Sequence, residues 1–129
     1  MQLDFAERAR ALVGTPFRPQ GREPHALDCV GLVIRTFELP ADIVRRDYRL
    51  RGDHRDEMMR ELAGPFRKIR KGEQRTGDLL LMAVRGDQMH LGIRTEQGFV
   101  HAHAGIGRVV ETPGAPEWPV LAVYRRRSR

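Results

Sequence analysis

Three side chains able to share one nucleophilic reaction lie far apart in the chain: Cys29, its only cysteine, and His90 and His101. A thiol attacks as its thiolate and is mostly protonated at neutral pH, so a nucleophilic cysteine needs positive potential or a base beside it. Asp28-Cys29-Val30-Gly31-Leu32 reads as a helix start capped by Asp28, with Cys29 in the first turn. There the unpaired N–H groups and the helix dipole favour an anion and also donate to a developing oxyanion. Gly31, a poor helix former, is read as clearing bulk beside the sulfur. The bland alternative makes Cys29 a small buried residue on an apolar helix. The histidines count against it. Residues alternate faces along a strand, so His90, Gly92 and Arg94 share one face, and on the return strand Phe99, His101 and His103 share one. A tight turn between the strands sets His90 directly opposite His101, with Cβ atoms about 4.5 to 5.5 Å apart, and Gly92 leaves room beside His90. A base next to a thiol, itself held by a third polar group, is triad logic.

The elements that must position these residues follow from periodicity and breakers. Leu3, Ala6, Ala9, Leu12 and Val13 recur at helical spacing, and Gly14 with Pro16 stops that helix. Residues 15–27, holding three prolines, read as loop. The second helix starts at Asp28 or Cys29, presents Leu32, Val33 and Phe37 on one face, and must end before Pro40. Arg45 to Asp53 reads as irregular, and Asp53 caps a third short helix through Met58, Met59 and Leu62, closed by Gly64-Pro65. Then the period changes. Phe66 to Arg70, Leu79 to Val84, Met89 to Thr95, Gly98 to Ala104, Arg108 to Thr112 and Val120 to Arg125 read as strands. Leu79 to Val84 is apolar on both faces, as a central covered strand requires. Helices first and antiparallel strands second make one α+β domain over residues 1–129.

Composition narrows the partners. No apolar run approaches the roughly 18 residues of a membrane span, and the N-terminus lacks the basic and apolar segments of a secretory signal. The expectation is synthesis in the cytoplasm. A single cysteine excludes an intrachain disulfide. The net charge of +6 favours polyanions, yet 21 of the 23 basic residues are arginines spread along the chain, as a general compositional bias would leave them. The one dense run, residues 125–129, reads as a solvated, partly disordered end. With 6% aromatic residues and no recognisable module, specific nucleic-acid binding is not expected.

Asp28-Cys29-Val30-Gly31-Leu32-Val33, Gly77-Asp78-Leu79-Leu80-Leu81, His90-Leu91-Gly92-Ile93 and Phe99-Val100-His101-Ala102, in that order, resemble the NlpC family of cell-wall cysteine peptidases. Gly14-Thr15-Pro16-Phe17 and Gln20 are similar to the loop before the nucleophile, especially in short members encoded with phage tails and gene-transfer agents. The resemblance implies a papain-like α+β fold, N-terminal helices packed on a five- or six-stranded antiparallel sheet. It implies Cys29 as nucleophile, His90 as general base, His101 as its orienting group, and a thiolate–imidazolium pair between the first two. Phe17, Gln20 and Asp28 would contact substrate. The implied activity is hydrolysis, through an acyl-thioenzyme, of the bond between D-glutamate and a diamino acid in peptidoglycan stem peptides, without a cofactor. The implied setting is the cell wall, reached by a tail-like particle or by lysis. This chain has Val30 where the family usually has serine and Phe17 where tyrosine is common. The shorter turn keeps His103 open as an alternative orienting group.

Two other readings stand beside this one. Cys29, His90, His101 and His103 have the ligand types of a zinc site. The basic balance also suits a structural or binding module of a tail assembly that keeps a hydrolase fold.

Overall fold

The computed structural model describes residues 4–23, 25–41, 60–61, 63–84 and 89–127. In chain order the elements are α1 (Phe5–Ala11), β1 (Arg22–Glu23), β2 (Ala26–Leu27), α2 (Cys29–Phe37), β3 (Phe66–Ile69), β4 (Leu79–Ala83), β5 (Met89–Arg94), β6 (Gly98–His103), β7 (Arg108–Pro113) and β8 (Val120–Arg126). β1 and β2 form a small hairpin, and the other six strands make one antiparallel sheet in the order β3-β8-β4-β5-β6-β7. This is the α+β layout expected from the sequence. The expected third helix falls mainly outside the described residues.

α1 is capped by Asp4, whose carboxylate accepts the Glu7 N–H at 3.0 Å. It ends at Ala11, two residues short of the expected Val13, because the Leu12 N–H already folds back on Ala9 and Arg10. Gly14, in the left-handed region at φ 96°, then sends its N–H to the Val109 carbonyl.

α2 is not an amphipathic surface helix. Every residue of it except Arg35 is buried, because α1, the β1–β2 hairpin and strands β5 and β6 surround it. Glu38 closes it in the left-handed region at φ 55°. The β1–β2 hairpin itself departs from the expectation that residues 15–27 are loop. Its strands are two residues each, too short for any periodic signal, and it packs against α2 on that side.

The sheet has two apolar faces. Leu79 and Leu81 of β4 join Leu32, Phe37, Leu91 and Tyr124 on the helix side, while Leu80 and Met82 join Ile69, Phe99 and Val123 on the other. β4 therefore is the covered central strand read from its composition. Asp78, just before it, is 1% exposed and takes a two-pronged contact from Arg125, Nε to Oδ1 at 2.8 Å and Nη2 to Oδ2 at 2.9 Å. The Arg75 N–H adds a third donor at 2.7 Å. A planar guanidinium matches a carboxylate in this way. Gly77-Asp78 is thus a clamp fastening the start of β4 to β8.

That clamp also corrects the reading of the basic end. Arg125 and Arg126 lie within β8, and Arg126 and Arg127 donate to the Pro65 and Ala63 carbonyls. The run is tied to the sheet as far as residue 127, because β8 pairs with both β3 and β4.

Candidate active site

Asp28 is the N-cap of α2. Its Oδ1 accepts the Gly31 N–H at 2.8 Å and its Oδ2 accepts the Gln20 N–H at 2.8 Å. One carboxylate therefore starts the helix and pins the preceding loop, with Gln20 held at φ 59°. Asp28 borders the cavity described below, but with both oxygens engaged it acts on the architecture and on the local field more directly than on a ligand.

Cys29 is the first residue of α2 and is 4% exposed. Burial pushes its thiol pKa up and the Asp28 carboxylate adds to the rise, while the Leu91 backbone N–H, hydrogen-bonded to the sulfur, works the other way. Burial and the Asp28 charge both favour the neutral thiol. Val30, where the resembling family usually has serine, is 2% exposed and packs in the helix-side core, so its apolar side chain meets an apolar need.

Gly31 serves a different purpose from the one read in the sequence. A Cβ there would sit 1.9 Å from the Gly21 carbonyl oxygen and 3.2 Å from Leu27 Cδ2. The missing side chain admits the backbone of the preceding loop, not the sulfur. Gly92 likewise makes room for the Met82 and Phe99 side chains, each 3.1 Å from where its Cβ would be, more than for His90.

The β5–β6 ladder pairs Ile93 with Val100 and Arg94 with Phe99. Carried one residue further, that register would set His101 against Gly92, with His90 its diagonal neighbour rather than directly opposite as expected. They still meet. His90 Nε2 lies 3.0 Å from His101 Nδ1, with the rings nearly perpendicular at 81°. His101 Nε2 in turn lies 2.8 Å from the Thr112 hydroxyl on β7. His101 is 1% exposed and stacks on Phe99 at 4.5 Å between ring centroids. Trp118 stands edge-on to both imidazoles, 5.6 and 5.8 Å away.

A cavity of about 420 Å³ opens over this group, lined by Cys29, His90, His101, Phe17, Gln20 and Trp118 among others. The nucleophile, base and orienting candidates read from the sequence thus share one cavity with all three expected substrate contacts, Phe17, Gln20 and Asp28. His103 borders it as well, but its Nδ1 accepts the Ile106 N–H at 3.1 Å. His101 therefore holds the place next to His90. Sequence reasoning missed Thr112 and Trp118. Thr112 was within reach, since it shares a sheet face with His101 one strand away. Trp118 precedes β8 in a segment without a periodic signal.

The histidine nitrogens also bear on the zinc reading. His90 Nε2 and His101 Nδ1 face each other, and the remaining contacts go to Thr112 and Ile106. Among the described residues no group of three ligand-type side chains converges on a common centre.

Residues 14–120 match the family model described as NlpC/P60. The chain belongs to the NlpC/P60 family. This NlpC/P60 chain is similar in fold to the NlpC/P60 domain of the peptidoglycan hydrolase SagA, at 21% identity and a TM-score of 0.58, over 85% of this chain and 86% of that one. It is also similar to the P60 domain of an antigen of M. avium subspecies paratuberculosis, at 19% identity and TM-score 0.59, over 95% and 91%. The peptidoglycan hydrolase RipB of Mycobacterium tuberculosis gives 21% and 0.60, over 95% and 62%. No curated protein matches it by sequence.

Burial pushes the His90 pKa down to about 4, helped by His103. His101 falls to about 3, through burial first and then its histidine neighbours. Burial thus favours the neutral form of the thiol and of both imidazoles, and so works against a standing thiolate–imidazolium pair. The unfolded chain takes up these protons near pH 6.5, before the folded chain does, so acid favours unfolding. Stability is complete above about pH 6.5 and is lost as the pH falls toward 4 and then 3. Acidification from pH 7 to 4 is expected to lower Tm by roughly 5 °C or more, and His101→Gln should show a smaller fall. Equal falls in both proteins would refute this assignment.

Proposed function

We propose that the chain is a cell-wall cysteine endopeptidase acting on peptidoglycan stem peptides. The observation that carries the reading is the hydrogen-bonded file His90–His101–Thr112, which adjoins a cavity also lined by a cysteine at a helix N-terminus. Membership of the NlpC/P60 family supports it, as does likeness in fold to SagA and RipB, which are peptidoglycan hydrolases.

With its Nε2 turned to His101, His90 keeps Nδ1 for proton transfer. In this mechanism Cys29 Sγ attacks the scissile carbonyl carbon while His90 Nδ1 takes the thiol proton, so general-base assistance replaces a standing thiolate. The Cys29 backbone N–H donates to the oxyanion. His90 returns its proton to the leaving amine nitrogen, and water, deprotonated by the same nitrogen, hydrolyses the thioester. The bond is that between D-glutamate and a diamino acid, with Phe17 and Gln20 contacting the peptide. Delivery by a tail-like particle belongs to the same reading, on the resemblance of the Gly14-Thr15-Pro16-Phe17 loop to that of short tail-encoded members.

Digestion of purified peptidoglycan by the wild-type protein, with products read by mass, tests the proposal. Fragments ending in D-glutamate, with a matching new amine on the diamino acid, are expected. No new product from walls of any diamino-acid type overturns it.

A further inference from the structure

The file of hydrogen bonds does not stop at two histidines, and its direction matters. Imidazole donates from one nitrogen and accepts at the other when neutral. The file therefore has two states. In one, His90 Nε2–H donates to His101 Nδ1 and His101 Nε2–H donates to the Thr112 oxygen, which leaves a lone pair on His90 Nδ1. In the other, the Thr112 hydroxyl donates to His101 Nε2 and His101 Nδ1–H donates to His90 Nε2, which leaves a proton on His90 Nδ1. Only the first state contains a base. It also survives the reaction, because a protonated His90 still donates from Nε2 to the same acceptor.

We propose that Thr112 is the positioning residue that fixes the direction of this file by accepting the proton of His101 Nε2. This rests on the reading of Cys29 and His90 as nucleophile and base. Three features of the site support it. His101 is 1% exposed, so solvent does not readily substitute as its partner, whereas Thr112 is only half-buried. Phe99, paired with Thr112 in the ladder, stacks on His101 and fixes its ring plane, so the remaining freedom is the choice of protonated nitrogen. The Thr112 backbone is tightly seated, since a Cβ at Gly98 would lie 1.8 Å from its carbonyl oxygen.

The tautomers are directly measurable by ring-nitrogen shifts of protein carrying ¹⁵N-histidine at pH 7. Wild-type protein should hold its proton on Nε2 in both His90 and His101. Finding either proton on Nδ1 overturns the proposal without any variant. Thr112→Val removes the hydroxyl at nearly constant shape. It should transfer part of the His101 population to the Nδ1–H form and lower kcat about tenfold, as for one lost hydrogen bond to a buried group, with little change in KM. Thr112→Ser should restore both readouts. Unchanged tautomers in Thr112→Val, or a Thr112→Ser protein that behaves like the valine variant, would reject the role. The nitrogen shifts need no turnover, so a wild-type protein that cleaves nothing defeats the proposed peptidase while leaving Thr112 judged on its own measurement.

Discussion

Cys29→Ala is expected to leave peptidoglycan digestion at least about 10⁴-fold below wild type, with the fold and its stability preserved. Removing the nucleophile from a triad costs four to six orders of magnitude, and the residual rate comes from binding and oxyanion contacts alone. Alanine keeps Cβ and removes only the buried sulfur, a small loss of packing. The bonds that hold the helix start involve the Asp28 carboxylate and backbone, not the sulfur, so Tm should change little. His90→Ala should cause a loss of similar size, for a different reason: burial and Asp28 favour the neutral thiol, which needs a base at the moment of attack. Groups that act as one unit do not add their effects. The double variant should therefore fall no further than either single one. Wild-type rates in Cys29→Ala would remove the chain from cysteine chemistry. Separate, additive losses would mean that the two residues work independently.

Gly31→Ala should be among the most damaging small substitutions for the fold itself. Alanine is normally the better helix residue by about 1 kcal/mol, so propensity predicts a gain. Packing predicts the reverse. The new methyl group would lie 1.9 Å from the Gly21 carbonyl oxygen, far inside contact distance. That oxygen also accepts the Asp28 N–H at 3.1 Å. The helix start and the loop holding Gln20 cannot both keep their places. An overpacking cost of about 3 kcal/mol would outweigh the propensity gain and lower Tm by about 10 °C. Activity should suffer beyond the loss of stability, since the displaced loop also bears Phe17 and Gln20. A Tm within 2 °C of wild type, measured by calorimetry, would show that the loop yields freely and that this contact does not hold the site.

These two substitutions mark the line between local and distant information. Asp28 as a cap, Cys29 in the first helical turn and the six strands of the large sheet were readable because each depends on neighbours a few positions away. Strand alternation also put the correct residues, Met89, Leu91 and Ile93, into the core. Other roles looked local but were not. Gly31 faces Gly21, ten positions earlier, and Asp78 holds Arg125, 47 positions later. α2 read as one-sided because its own sequence does not reveal that a two-residue hairpin covers the far side.

The reactive set shows the same division. Residue type, order and strand period were sufficient to select Cys29, His90 and His101 and to make a papain-like arrangement the expectation. They were not sufficient for the register, which makes the two histidines diagonal, nor for Thr112 as the acceptor beyond His101 or Trp118 against both rings. Nor did they reveal the desolvation that works against a charged thiolate–imidazolium pair in the folded chain. Periodicity and capping arise from a few adjacent residues, and a sequence displays those directly. Register, desolvation and the direction of a hydrogen-bonded file arise from how the whole core closes, when many weak contacts together decide which strands slide, which nitrogens lose water and which partner remains.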